Sequence, residues 1–66
     1  MDSPGPRHRD VIVSIEGEGW AVLRNGRPES THPTRDAALD AGRVLAEASR
    51  VDLWMLDADR VLVRVG

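Results

Sequence analysis

The chain contains no cysteine, lysine, tyrosine or phenylalanine. Without cysteine there is no disulfide framework and no thiolate metal site. Tryptophan is the one aromatic residue type, at Trp20 and Trp54, so any platform for stacking nucleic-acid bases would be thin. The lack of lysine leaves arginine to supply all the strong positive charge. Arginine suits planar, bidentate contacts, although codon bias gives the same composition. The formal net charge of -2 works against nonspecific nucleic-acid binding, which needs many phosphate-neutralising side chains. No apolar run approaches the roughly 20 residues of a membrane-spanning helix. The opening Met1-Asp2-Ser3-Pro4-Gly5-Pro6 lacks the charged and apolar regions of a secretory signal, so the expected location is cytoplasmic.

What is present describes one small globular domain. Its 66 residues lie near the lower end of what folds alone, and chains of this size bury about 60% of the surface they expose when unfolded. Residues 1–10 carry two prolines, a glycine and no apolar period, and are expected to form a flexible tail. The domain proper is expected over residues 11–66.

Val11, Val13 and Ile15 alternate as in a strand of about six residues, and Trp20, Val22 and Arg24 do so in a second. The glycine-rich Glu16–Gly19 joins them as a hairpin loop, and Asn25-Gly26 predicts a type I′ turn. A short third strand is expected near Glu29–His32, held to a sheet edge by the flanking Pro28 and Pro33. Thr34 is placed to cap a helix over Arg35–Ser49, with Asp36 in its first turn. Ala38, Ala41, Val44, Leu45 and Ala48 are expected to form its buried stripe, with Gly42 permitting close approach. Two closing strands follow, over Val51–Leu56 and Val61–Val65, joined by Asp57-Ala58-Asp59. The fold class is therefore α+β, ordered β-β-(short β)-α-β-β, with one helix packed on one face of a mostly antiparallel sheet.

One helix covers one face. Val11, Val13, Ile15, Trp20, Val22, Val51, Leu53, Met55, Val61, Val63 and Val65 are expected beneath it. That assigns Trp20 to the core. The other face receives Ile12, Leu23, Trp54, Leu56 and Leu62, rimmed by Arg60, Arg64 and Asp52. Solvated sheet faces are mostly polar, and exposed apolar patches mark interfaces. The interface residues are therefore Ile12, Leu23, Trp54, Leu56, Leu62, Arg60 and Arg64, and a homodimer or a protein partner is expected. The alternative is a shifted register that buries some of them in the monomer. A single-stranded nucleic-acid module on the same face is the second functional reading.

No catalytic, cofactor or metal site is predicted. His8 and His32 have no carboxylate or second histidine at ligand spacing. Ser30, Thr31 and His32 are neighbours in sequence, whereas a nucleophile and its base meet through the fold. Asp57 and Asp59 suit a turn, and Gly17-Glu18-Gly19 lacks the helix of a phosphate loop. The reading is a small non-catalytic interaction domain.

Gly19-Trp20-Ala21-Val22, Thr34-x-x-Ala37-Ala38, Ala41, Leu45-Ala46 and the closing hairpin together resemble a family of small uncharacterised bacterial domains of unknown function. That family's pattern is G-W-x-V, then T-x-x-E-A, then A-x-x-L-A, then an Asp-Gly type turn before a last strand. Ala37 stands where the family has Glu, and Ala58-Asp59 replaces the Asp-Gly turn. The resemblance implies a fold and no activity.

Overall fold

The computed structural model describes residues 9–57 and 59–65. Its elements are β1 (Val11–Glu16), β2 (Gly19–Arg24), β3 (Arg27–His32), α1 (Arg35–Ser49), β4 (Leu53–Leu56) and β5 (Leu62–Val65). The sheet runs β3-β2-β1-β4-β5, and the class is α+β. Pairs β1–β2, β2–β3 and β4–β5 are antiparallel, while β1–β4 is parallel. The parallel pair follows from α1, since a long crossover carrying a helix can return a strand in the same direction.

The turns match their chemistry. Asn25 and Gly26 hold φ of 55° and 73°, so both central residues meet the positive φ of a type I′ turn. In the last hairpin Asp57 Oδ1 accepts from the N–H groups of Asp59 (2.9 Å) and Val61 (3.1 Å), the Asx-type bonding expected of aspartate there. Ala58 lies outside the described residues, as do residues 1–8 of the expected tail.

Strand β3 is longer than predicted, beginning at Arg27 and taking in Pro28. Its edge position tolerates the missing proline donor. Val22 pairs with Ser30 and Leu23 with Pro28, which leaves Glu29 as the extra residue of a bulge. Strand β4 starts later than predicted, at Leu53, because the Val51 N–H closes the helix by donating to the Ala46 carbonyl at 3.0 Å.

The N-cap is as expected: Thr34 Oγ1 accepts from the Ala37 N–H at 3.1 Å. The buried stripe is rotated from the predicted one. Ala38, Gly42 and Ala46 are buried, whereas Ala48 is exposed and Val44 is 69% exposed. The cause is Gly42. A Cβ there would stand 3.0 Å from Leu53 Cδ1 and from Val13 Cγ2, so the helix turns its smallest residue to the sheet. Val44, about 200° further round the helix, then faces away. The core is Val11, Val13, Val22, Ala38, Ala46 and Leu53, with Trp20 packed against it half-buried.

Arg50 ends the helix in the left-handed region at φ 55°, its N–H donating to the Ala46 and Glu47 carbonyls. A side chain in that region costs about 1–2 kcal/mol, and the extra unfolded-state freedom of glycine costs about 0.4–1 kcal/mol. Arg50→Gly is therefore expected to stabilise the domain by about 0.5–1 kcal/mol, read as a higher urea midpoint at unchanged slope.

One helix about 10 Å wide covers about two strand spacings of 4.8 Å, or three strands. Accordingly α1 packs on β1, β2 and β3, less on β4, and not on β5. Val61 and Val63, predicted to lie under the helix, are therefore 52% and 44% exposed, and Ile15, also predicted there, is 44% exposed next to the end of β1. A groove of about 320 Å³ runs beside the helix, lined by Ala46, Val51, Leu53 and Val65 with Arg43 and Arg50 among others. Among the described residues, no helix is long and apolar enough to cross a membrane.

Candidate interaction surface

Strand alternation sends every second side chain away from α1, and the registers place these in two rows. The first runs Pro28, Leu23, Ile12, Trp54 and Arg64 across all five strands. The second runs Thr31, Ala21, Ser14, Leu56 and Leu62. Ile12, Leu23, Trp54, Leu56 and Leu62 are all half-buried, and Ala21 and Ser14 form a floor at 0% and 9% exposure. Among the described residues, no element packs on this face, because the one helix lies on the other. The apolar group is therefore a flat, half-buried surface rather than a set of projecting side chains.

The seven residues predicted as an interface separate into three situations. The five apolar ones are adjacent. Arg64 sits directly opposite Trp54 and holds Asp52 Oδ1 at 3.3 Å; with both side chains largely exposed, that ion pair contributes little. Arg60 lies outside the strands that form the face. It occupies the β4–β5 turn at φ 61°, exposed, because the positive φ breaks the alternation that would have placed it beside Leu62.

Asp10 is the site residue that sequence reasoning missed. It is 6% exposed. Its Oδ2 accepts from the Trp54 indole N–H at 3.0 Å and its Oδ1 from the Asp52 N–H at 3.3 Å. The carboxylate thus anchors the indole by its N–H. Its partners lie more than 40 residues away in the chain, so no local pattern could reveal it.

Elsewhere, Ser30 and His32 are brought together by strand spacing, Ser30 Oγ lying 2.8 Å from His32 Nε2. They belong to β3 rather than to a loop. Among the described residues, no carboxylate hydrogen-bonds the other ring nitrogen, the orienting contact that a Ser–His pair uses in catalysis. No group of three metal-ligating side chains is found among the described residues.

Residues 10–59 match a family described as an uncharacterized protein conserved in bacteria (DUF2188). The chain belongs to this family. The matched stretch runs from Asp10 through β4 and stops before β5. No curated protein matches the chain, and no solved structure does.

Proposed function

We propose that this chain is a non-catalytic protein-association domain that self-associates through the open face of its sheet. One observation carries the reading: two cross-strand rows bring Ile12, Leu23, Trp54, Leu56 and Leu62 together on a face that no described element covers. Tryptophan is among the residues most enriched at the energetic centres of interfaces, and Asp10 holds this one in a fixed orientation, which lowers the cost of ordering it on binding. Arg64 and Asp52 neutralise one another at the margin, and Asp10 is only 6% exposed, so little charge is presented by either face when two of them stack. A 66-residue chain without disulfides also gains stability by covering apolar surface with a second copy.

The nucleic-acid reading of the same face is disfavoured by its carboxylates. Asp10 is hydrogen-bonded to Trp54 and Asp52 holds Arg64, so the arginine of the face is already neutralised where a phosphate backbone would need it. A salt-dependent shift of single-stranded oligonucleotide, lost in Trp54→Ala, would reinstate it.

Sedimentation at micromolar concentration tests the proposal. The wild type is expected at twice the chain mass of 7.2 kDa, and Trp54→Ser at the mass of one chain with its circular dichroism retained. A wild-type mass of one chain removes the reading.

A further inference from the structure

The two edges of the sheet are unlike. Strand β3 carries Pro28, the Glu29 bulge and the charge of Arg27, which are devices that prevent another strand from adding to an edge. Strand β5 carries none of these across Leu62-Val63-Arg64-Val65 beyond a single charge. Among the described residues, nothing lies on its outer side, since it ends the strand order and α1 does not reach it.

The hydrogen-bonding direction along β5 can be read from its start. The Asp57 N–H donates to the Val61 carbonyl at 3.2 Å, so Val61 points its backbone groups toward β4. Antiparallel alternation then points Val63 and Val65 toward β4 as well. Leu62 and Arg64 present N–H and C=O outward. We propose that β5 of one chain pairs antiparallel with β5 of a second copy, about a two-fold axis passing beside Val63, joining two sheets edge to edge.

Charge selects that register. A two-fold axis perpendicular to the sheet must place one residue opposite its own copy. Centring on Arg64 sets arginine against arginine. Centring on Leu62 sets Arg60 against Arg64, and Arg60 is also out of the extended conformation at φ 61°. Centring on Val63 sets Leu62 opposite Arg64, whose aliphatic stem covers the leucine, and the two exchange both N–H···O bonds. On the helix side it sets Val63 against Val63 and Val61 against Val65, β-branched pairs that favour sheet. Val61 and Val63, left 52% and 44% exposed by the short reach of α1, are covered by this pairing. The axis keeps both open faces on one side of the joined sheet, so the contact neither needs nor blocks stacking through Trp54. Strand β5 lies beyond the family match, and the proposal rests on the residues of this chain alone.

Amide hydrogen exchange of Leu62 and Arg64, followed by NMR from about 10 µM to 1 mM, tests it. The range suits a contact smaller than the roughly 1,200 Å² of standard interfaces. Both amides are expected to slow at least about tenfold as concentration rises. Trp54→Ser leaves this slowing in place, which separates the edge contact from the open-face reading. Arg64→Ala, which keeps the N–H, retains it, and Arg64→Pro, which removes an outward N–H, loses it. Val63→Glu and Val63→Lys, at a side chain already largely exposed, each lose it alone and regain it when mixed, because the two substituted positions face one another across the axis. Exchange at Leu62 and Arg64 that is independent of concentration overturns the pairing, and so does a Glu/Lys mixture that behaves like either variant alone.

Discussion

Gly42→Leu is expected to destabilise the domain by roughly 3 kcal/mol, the upper end of the cost of adding volume to a packed core. A 66-residue chain has on the order of 3–10 kcal/mol of stability in total, so the variant should be largely unfolded in mild denaturant. The cause is the plane of contact between α1 and the sheet. The first added carbon already meets Leu53 Cδ1 and Val13 Cγ2 at 3.0 Å, and leucine adds three more carbons behind it with Val11 and Val13 fully buried below. Gly42→Ala should be far milder, since the roughly 1 kcal/mol gained in helix propensity offsets a few tenths of an ångström of adjustment by the ends of two side chains. A double-mutant cycle sharpens this. Val13→Ala alone should cost about 2 kcal/mol for the lost methyl groups and the cavity. In that background Gly42→Ala should become clearly stabilising, because its new methyl enters vacated space. Urea midpoints of the four proteins give the coupling, and additivity within about 0.5 kcal/mol would contradict the close approach.

Asp10→Ala is expected to cost about 2–3 kcal/mol. The carboxylate is nearly fully buried and accepts from both the Trp54 indole and the Asp52 N–H. Bonds to a charged group contribute about 1.5–3 kcal/mol, and removing one partner leaves the other with its desolvation penalty. Asp10→Asn, which keeps an acceptor oxygen, should lose less than half as much. The variant also reports on the face. In a Trp20→Phe background the remaining emission belongs to Trp54, and Asp10→Ala should shift it to the red as the indole loses its anchor and meets water. An unchanged spectrum would mean that the indole is held by packing alone.

Most of the fold was legible because local chemistry fixes it. Asn25-Gly26 demanded its turn, Thr34 its cap, and the alternating valines their strands. Period-two patterning also separates the two faces along β1, β2 and β4, since it survives any strand order. What sequence could not supply was the reach of one element over another. The predicted helix stripe followed residue hydrophobicity, while the observed one follows the closest approach at Gly42, which puts Val44 in solvent. Uniformly apolar residues make the covered face look complete, yet the helix is narrower than the sheet. Of the candidate site, the five apolar residues were visible in advance. The place of Arg60 outside β5 goes with one backbone angle, and the part played by Asp10 with a partner more than 40 residues away.

The parallel pairing of Val11 with Leu53 also dictates how this molecule folds. Strands β1 to β3 form a meander closed by short turns, which can assemble on a microsecond scale. Yet a sheet of three strands buries little until the helix and β4 return. That return closes a span of about 40 residues, with its loop entropy spent before the core forms. The rate-limiting event is thus expected to be the docking of α1 and β4 onto β1. Val11 and Val13, touched by both, should slow folding when truncated. Val63, at the strand that joins last, should alter only the rate of unfolding.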